Sequence, residues 1–149
     1  MFNNRIIVLV EDNEQDELLT IRALKKNNIM NEIVVLRDGE QAIDYFSKPK
    51  PNIEIQAILL DIKLPKLDGT EVLEFIRKQQ HTKTVPVIML TTSTEESDVL
   101  KSYKFGSNSY VKKPVDFDEF SAAVKQLGMY WLILNIPPAI HSEKTNPFL

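Results

Sequence analysis

The chain has 149 residues, of which 26% are charged and 43% hydrophobic, with a net charge of −3 and no cysteine. That balance fits one soluble domain with a core of its own. It argues against a general nucleic-acid-binding surface and removes disulfides, thiolate catalysis and cysteine-based zinc sites.

The N-terminus, MFNNRIIVLVED, has too short an apolar run for a signal peptide. No later run approaches a membrane span, and a cytoplasmic protein is expected. Arg5–Val10 is a strand with almost no polar alternation, as in a parallel sheet covered on both faces. Asp16–Asn27 is a helix, with Leu18, Leu19, Ile21, Arg22 and Leu24 at helical spacing. Glu32–Leu36 is a second strand and Gly39–Phe46 a second helix. Lys48–Asn52, with two prolines, is a loop. Ala57–Leu60 is a third buried strand, followed by a helix over Gly69–Gln80 with Val72, Leu73 and Ile76 inward. Val85–Leu90 is a fourth strand, Glu95–Phe105 a fourth helix and Ser109–Val111 a short fifth strand. Asp116 is a helix N-cap for the last helix. Five strand-helix pairs imply a parallel sheet with helices on both faces. The histidines, His81 and His141, are expected on the surface.

Ligands of an open α/β sheet bind at the carboxyl ends of the strands. Those ends are polar here: Glu11-Asp12 after the first strand, Asp61 after the third, Thr91-Thr92-Ser93 after the fourth and Lys112-Lys113-Pro114 after the fifth. If the first and third strands are neighbours, three carboxylates converge. Their repulsion calls for a divalent cation, a lysine, or both. Oxygen-only ligands favour Mg²⁺ or Mn²⁺ over zinc. A carboxylate at Asp61 can attack phosphorus and form an acyl phosphate. The metal and Lys113 would neutralise the phosphoryl oxygens, and the Thr91 hydroxyl could hydrogen-bond one of them.

The segments VLVEDNEQD, ILLDIKLPKLDG, VIMLTTS and GSNSYVKKP, in this order and spacing, resemble the receiver domain of two-component response regulators, the CheY-like family. The resemblance covers residues 4–128 and leaves 129–149 as a C-terminal extension. It implies a (βα)5 doubly wound, flavodoxin-like fold with strand order 2-1-3-4-5. It implies Asp61 as phospho-acceptor, and Mg²⁺ held by Asp12, Asp61 and the backbone carbonyl of Lys63. Thr91 would be the switch hydroxyl, Lys113 the phosphoryl contact and Tyr110 the aromatic that moves with Thr91. Pro65 and Gly69 would shape the loop after Asp61. The acidic pair is Glu11-Asp12 rather than the commoner Asp-Asp, so Glu11 is expected to act through a metal-bound water. The Glu-Asp start, LLDIKLPKLDG and the ending YWLILNIPP look most like small regulators paired with bacterial and cyanobacterial phytochromes, which implies a phytochrome histidine kinase as phosphodonor. Catalysis would be limited to the protein's own phosphorylation and dephosphorylation.

Two other functions compete. Aspartyl-nucleophile phosphatases of the haloacid-dehalogenase type place an acid two residues after the nucleophile; here that position is Lys63. A receiver-like module without phosphorylation would not need the set Asp12, Asp61, Thr91 and Lys113.

The last helix carries Phe120, Ala123, Val124, Leu127, Trp131 and Leu134 on one stripe, so it is expected to run through Gly128. Met129, Leu132, Ile133 and Ile136 make the opposite face apolar as well, and a helix that is apolar all round must be buried. A homodimer is expected through the fourth helix, the fifth strand, the last helix and the extension. Too few residues follow Gly128 for a helix-turn-helix domain, so output is expected through protein contacts.

Overall fold

The structure is a computed structural model that describes residues 4–91, 99, 103–113 and 117–128. In chain order its elements are β1 (Asn4–Val10), α1 (Glu14–Lys26), β2 (Glu32–Leu36), α2 (Gly39–Phe46), β3 (Ile53–Leu60), α3 (Gly69–Lys78), β4 (Val87–Thr91), β5 (Ser109–Lys112) and α4 (Phe117–Gly128). The strands form one parallel sheet in the order β2-β1-β3-β4-β5. The doubly wound fold expected from the sequence is the observed one. Val99, Tyr103 and Lys104 are helical. Otherwise the helix expected over Glu95–Phe105, the Asp116 cap and the whole extension from Met129, including His141, lie outside the described residues.

Successive residues of a strand face opposite sides of the sheet, and β1 uses both sides for core. Ile6, Val8 and Val10 pack with Phe46 of α2 and with Val72, Leu73 and Ile76 of α3. Ile7 and Leu9 pack with Ala23 and Leu24 of α1 and with Phe120 and Val124 of α4. Each fully buried side chain of this size stabilises the fold by about 1.5–3 kcal/mol relative to exposure. This two-sided burial explains the continuous apolar run of β1.

The face of α1 differs from its apolar spacing. Leu18 is 53% exposed, whereas Glu17 and Thr20 are buried beside Ala23 and Leu24. Burial of the two polar residues is offset locally. Arg37 Nη2 donates to Glu17 Oε2 at 2.9 Å, and the Thr20 hydroxyl donates to the Asp16 carbonyl at 2.7 Å. β3 starts earlier than its apolar run, at Ile53, and its register against β1 shifts between Ile6 and Ile7. β4 starts at Val87, after a proline that has no N–H to donate to a ladder; the Pro86 carbonyl still accepts from Ile58 N at 2.9 Å. His81 is half-buried rather than a free surface residue, with Nε2 2.8 Å from the Phe46 carbonyl at the end of α2.

Glycine opens the two helices beside the strand ends. A Cβ on Gly69 would lie 2.0 Å from the Asp61 carbonyl oxygen and 2.7 Å from Ile62 Cα. A Cβ on Gly39 would lie 2.4 Å from Leu67 Cβ. Gly69 N donates to the Ile62 carbonyl at 2.8 Å and Gly39 N to the Pro65 carbonyl at 3.2 Å. The loop after Asp61 is therefore clamped between the starts of α2 and α3. This is the physical content of the loop-shaping role expected for Pro65 and Gly69.

Candidate functional site at the strand ends

Strand alternation places the site. In β1 and β3 the rows Ile7, Leu9 and Ala57, Leu59 face α1 and α4, and the next odd positions are Glu11 and Asp61. Ladder bonds persist to these residues: Glu11 N donates to the Leu36 carbonyl at 2.9 Å and Asp61 N to the Val10 carbonyl at 3.1 Å. Val111 of β5 faces the same side, and Lys113 follows it by two. All three charged side chains thus leave the sheet on the side where α1 begins. Apolar residues beneath them keep Glu11, Asp61 and Lys113 at 2%, 7% and 6% exposure.

Glu11, Asp12 and Asp61 each bring one carboxylate oxygen within 4.8 Å of the other two. Two unit charges at that separation repel by about 3–4 kcal/mol at an effective dielectric near 20. Lys113 offsets part of this. Its ammonium donates to Glu11 Oε1, to Asp16 Oδ2 at 3.0 Å and to Asp61 Oδ2 at 3.4 Å. Three carboxylates therefore contact one ammonium, Asp12 adds a fourth acid beside two of them, and negative charge is in surplus. Burial pushes the Glu11 carboxyl well above the ordinary carboxylate range, and the neighbouring Asp61 adds to the shift. For Lys113 burial acts to lower the pKa, but Asp61, Glu11 and Asp16 outweigh it and hold the group above its usual value. The two directions agree: in a surplus of negative charge, the buried Glu11 carboxyl is harder to ionise and the lysine stays charged.

The donor set fits a hard divalent cation: all oxygen, mostly carboxylate, crowded and under-neutralised. Glu11 is already engaged at both oxygens, since Oε2 accepts from Asn13 N at 3.3 Å. Asp61 Oδ1 accepts from Lys63 N at 3.2 Å, which turns the loop after β3 back over the carboxylate. Asp12 is exposed on the loop before α1.

The structure thus brings together Glu11, Asp12, Asp61 and Lys113, as the strand ends led one to expect. Thr91 ends β4, but its side chain lies outside the described residues, as do Thr92, Ser93 and Pro114. Tyr110 is half-buried on β5, packed against the α2/α3 side of the core. Asp16 was not singled out by the sequence. Its signal is the N-cap: the Asn13 side chain accepts from Asp16 N at 3.0 Å, which places Asp16 in the first turn of α1. Helical side chains lean toward the N-terminus, here toward the strand ends.

The family model described as "Response regulator receiver domain" matches residues 7–125. The chain is 37% identical to the probable methanogenesis regulatory protein FilR2 of Methanothrix harundinacea, over 89% of this chain and 87% of that one. It is 38% identical to response regulator Rcp1 of Synechocystis, over 86% and 89%. The Mn²⁺-bound structure of Rcp1 matches with a TM-score of 0.80 at 36% identity, covering 90% of this chain and 99% of that one. The phosphorylated cyanobacterial phytochrome response regulator RcpA matches with a TM-score of 0.82 at 34% identity, covering 92% and 99%. With this match and these strand-end residues, the chain belongs to the response regulator receiver domain family and is related to the phytochrome response regulators.

Proposed function

We propose that this protein accepts a phosphoryl group from a histidine kinase onto Asp61 and signals by the change of shape that follows. One observation carries the reading: a nearly buried carboxylate lies between a lysine and two further acids at the ends of parallel strands. An Asp61 oxygen attacks the phosphorus of the kinase's phosphohistidine. A P–O bond forms, the P–N bond breaks, and its electron pair leaves with the imidazole. Lys113 neutralises a phosphoryl oxygen, and Thr91 donates its hydroxyl to another. Water later attacks the same phosphorus, and phosphate leaves with the Asp61 carboxylate restored. Asp12, Asp61 and the Lys63 carbonyl would hold Mg²⁺ or Mn²⁺, with Glu11 acting through water because both its oxygens already have partners. When bound, the cation supplies charge neutralisation for the transferring group. The protein catalyses nothing beyond these steps on itself.

A phytochrome is the kinase we favour. The likeness to RcpA, a cyanobacterial phytochrome response regulator, supports it. A kinase fed by ATP places the exchange in the cytoplasm. The test is intact-mass measurement after incubation with acetyl phosphate and Mg²⁺. Wild type should gain one phosphoryl group, lost on chelation, and Asp61→Asn should gain none. An Asp61→Asn protein that gains the same mass at the same rate removes the assignment.

We further propose a homodimer built on the helix containing Tyr103, on β5, on α4 and on the 129–149 extension, with Tyr110 linking its strength to phosphorylation. Among the described residues β5 is an edge strand of the sheet. Tyr103 is 52% exposed beside it in the chain. Sedimentation should show a dimer for the full chain and weaker association for a truncation after Gly128. Monomers for both at tens of micromolar, phosphorylated or not, would end this proposal.

A further inference from the structure

Asp16 contacts Lys113 yet has no part in the metal set or the acceptor role. An ammonium has three N–H donors and no more. In the resting protein they go to Glu11, to Asp16 at 3.0 Å and to Asp61 at 3.4 Å. A phosphoryl group on Asp61 brings new acceptor oxygens to the same place; the donor that reaches Asp61 can turn to one of them, and Lys113 meets a second only by leaving Glu11 or Asp16. Glu11 cannot be released cheaply, because its side chain is 2% exposed and would lose its partner without gaining water. The Asp16 side chain is 34% exposed, so water can take the place of Lys113 there. Of the two contacts to acids other than the acceptor, the one to Asp16 costs less to break.

We propose that Asp16 is a positioning residue that restrains Lys113 in the resting state by competing with the phosphoryl group, and so sets how readily Asp61 is phosphorylated. The inference rests on Asp61 being the acceptor. Only a contact that differs between the two states can shift their balance, and the Asp16–Lys113 pair is such a contact. The plainer role, an acid in the first turn favoured by the helix dipole, would act on α1 alone and would not require Lys113.

The experiment uses the full chain at Mg²⁺ concentrations that saturate each variant. The phosphorylation rate with acetyl phosphate is read by intact mass, and the affinity for fluoroberyllate, a phosphoryl mimic, by calorimetry. Asp16→Asn keeps the size and an acceptor oxygen but removes the charge. It should raise both rate and affinity by about two- to five-fold, the range of a partly exposed ion pair. Asp16→Glu should return both toward wild type. In a Lys113→Ala background, Asp16→Asn should change neither. Melting temperatures of wild type, Asp16→Asn, Lys113→Ala and the double variant in chelator give a second measure: removing the Asp16 charge should shift melting by different amounts with and without Lys113. An unchanged or slower Asp16→Asn, or melting shifts that are equal in both backgrounds, overturns the restraint while leaving Asp61 as acceptor. A wild type that takes up neither phosphoryl group nor fluoroberyllate overturns the acceptor reading and this inference with it.

Discussion

Asp12→Ala should lose Mg²⁺ binding and phosphorylation together. Asp12 is one of three acids whose oxygens lie within 4.8 Å of one another, and of the other two Glu11 is already committed to Lys113 and to Asn13 N. Loss of Asp12 removes one of the two carboxylates proposed to bind the cation directly, and Mg²⁺ tolerates an incomplete octahedral site poorly. Mg²⁺ affinity should fall on the order of 100-fold or more, and the acyl phosphate should not accumulate. The fold should survive, because Asp12 is exposed and its truncation opens no cavity. Metal-free Asp12→Ala should in fact melt higher than metal-free wild type, since a like charge has left the cluster. Thr91→Ala is the contrast: it should bind Mg²⁺ nearly as wild type does, yet couple phosphorylation poorly to shape. Titration of Mg²⁺ by calorimetry separates the two. Equal loss of metal affinity in both variants would contradict the division of roles.

Gly69→Ala should be among the most destabilising single-methyl changes in the chain. The added carbon would lie 2.0 Å from the Asp61 carbonyl oxygen and 2.7 Å from Ile62 Cα. Both are backbone atoms, so no rotamer change relieves the overlap. The start of α3 would have to move off the end of β3, yet Val72, Leu73 and Ile76 anchor α3 in the core. Overpacking of this kind costs about 3 kcal/mol or more. At about 2–4 °C per kcal/mol for a chain of this size, melting should fall by roughly 10 °C. Phosphorylation should fall too, because the displaced backbone carries Asp61. Thermal unfolding checks it; a drop below about 2 °C would mean that α3 tilts freely and that the clamp is not there.

Legibility varied with how each residue's burial is achieved. β1 was readable because both faces are covered, and no polar residue interrupts Ile6 to Val10. α2 and α3 were readable because their inward residues are apolar. The face of α1 was not. Glu17 and Thr20 turn inward only because Arg37 and the Asp16 carbonyl satisfy them, and apolar spacing does not register partners from elsewhere. The first half of β3 was missed for a related reason. Ile53 to Gln56 is only partly buried, and the register shift against β1 breaks its pattern. At the site, Glu11 and Asp61 stood out because each directly follows an apolar strand, and Asp12 and Lys113 because they lie beside the carboxyl ends of strands. Asp16 did not, because an acid in the first helical turn already has a reason to be there. Its second role depends on Lys113, ninety-seven residues away.

Borohydride trapping tests most directly whether Asp61 itself carries the phosphoryl group. Borohydride reduces an aspartyl phosphate to homoserine and leaves free carboxylates intact. Protein incubated with acetyl phosphate and Mg²⁺, reduced, digested and sequenced by mass spectrometry should show homoserine at position 61. Omitting Mg²⁺ or replacing Lys113 with Ala should remove most of it. Homoserine at Asp12 or Asp16 instead, or phosphate recovered on His81 with Asp61 unchanged, would contradict the account.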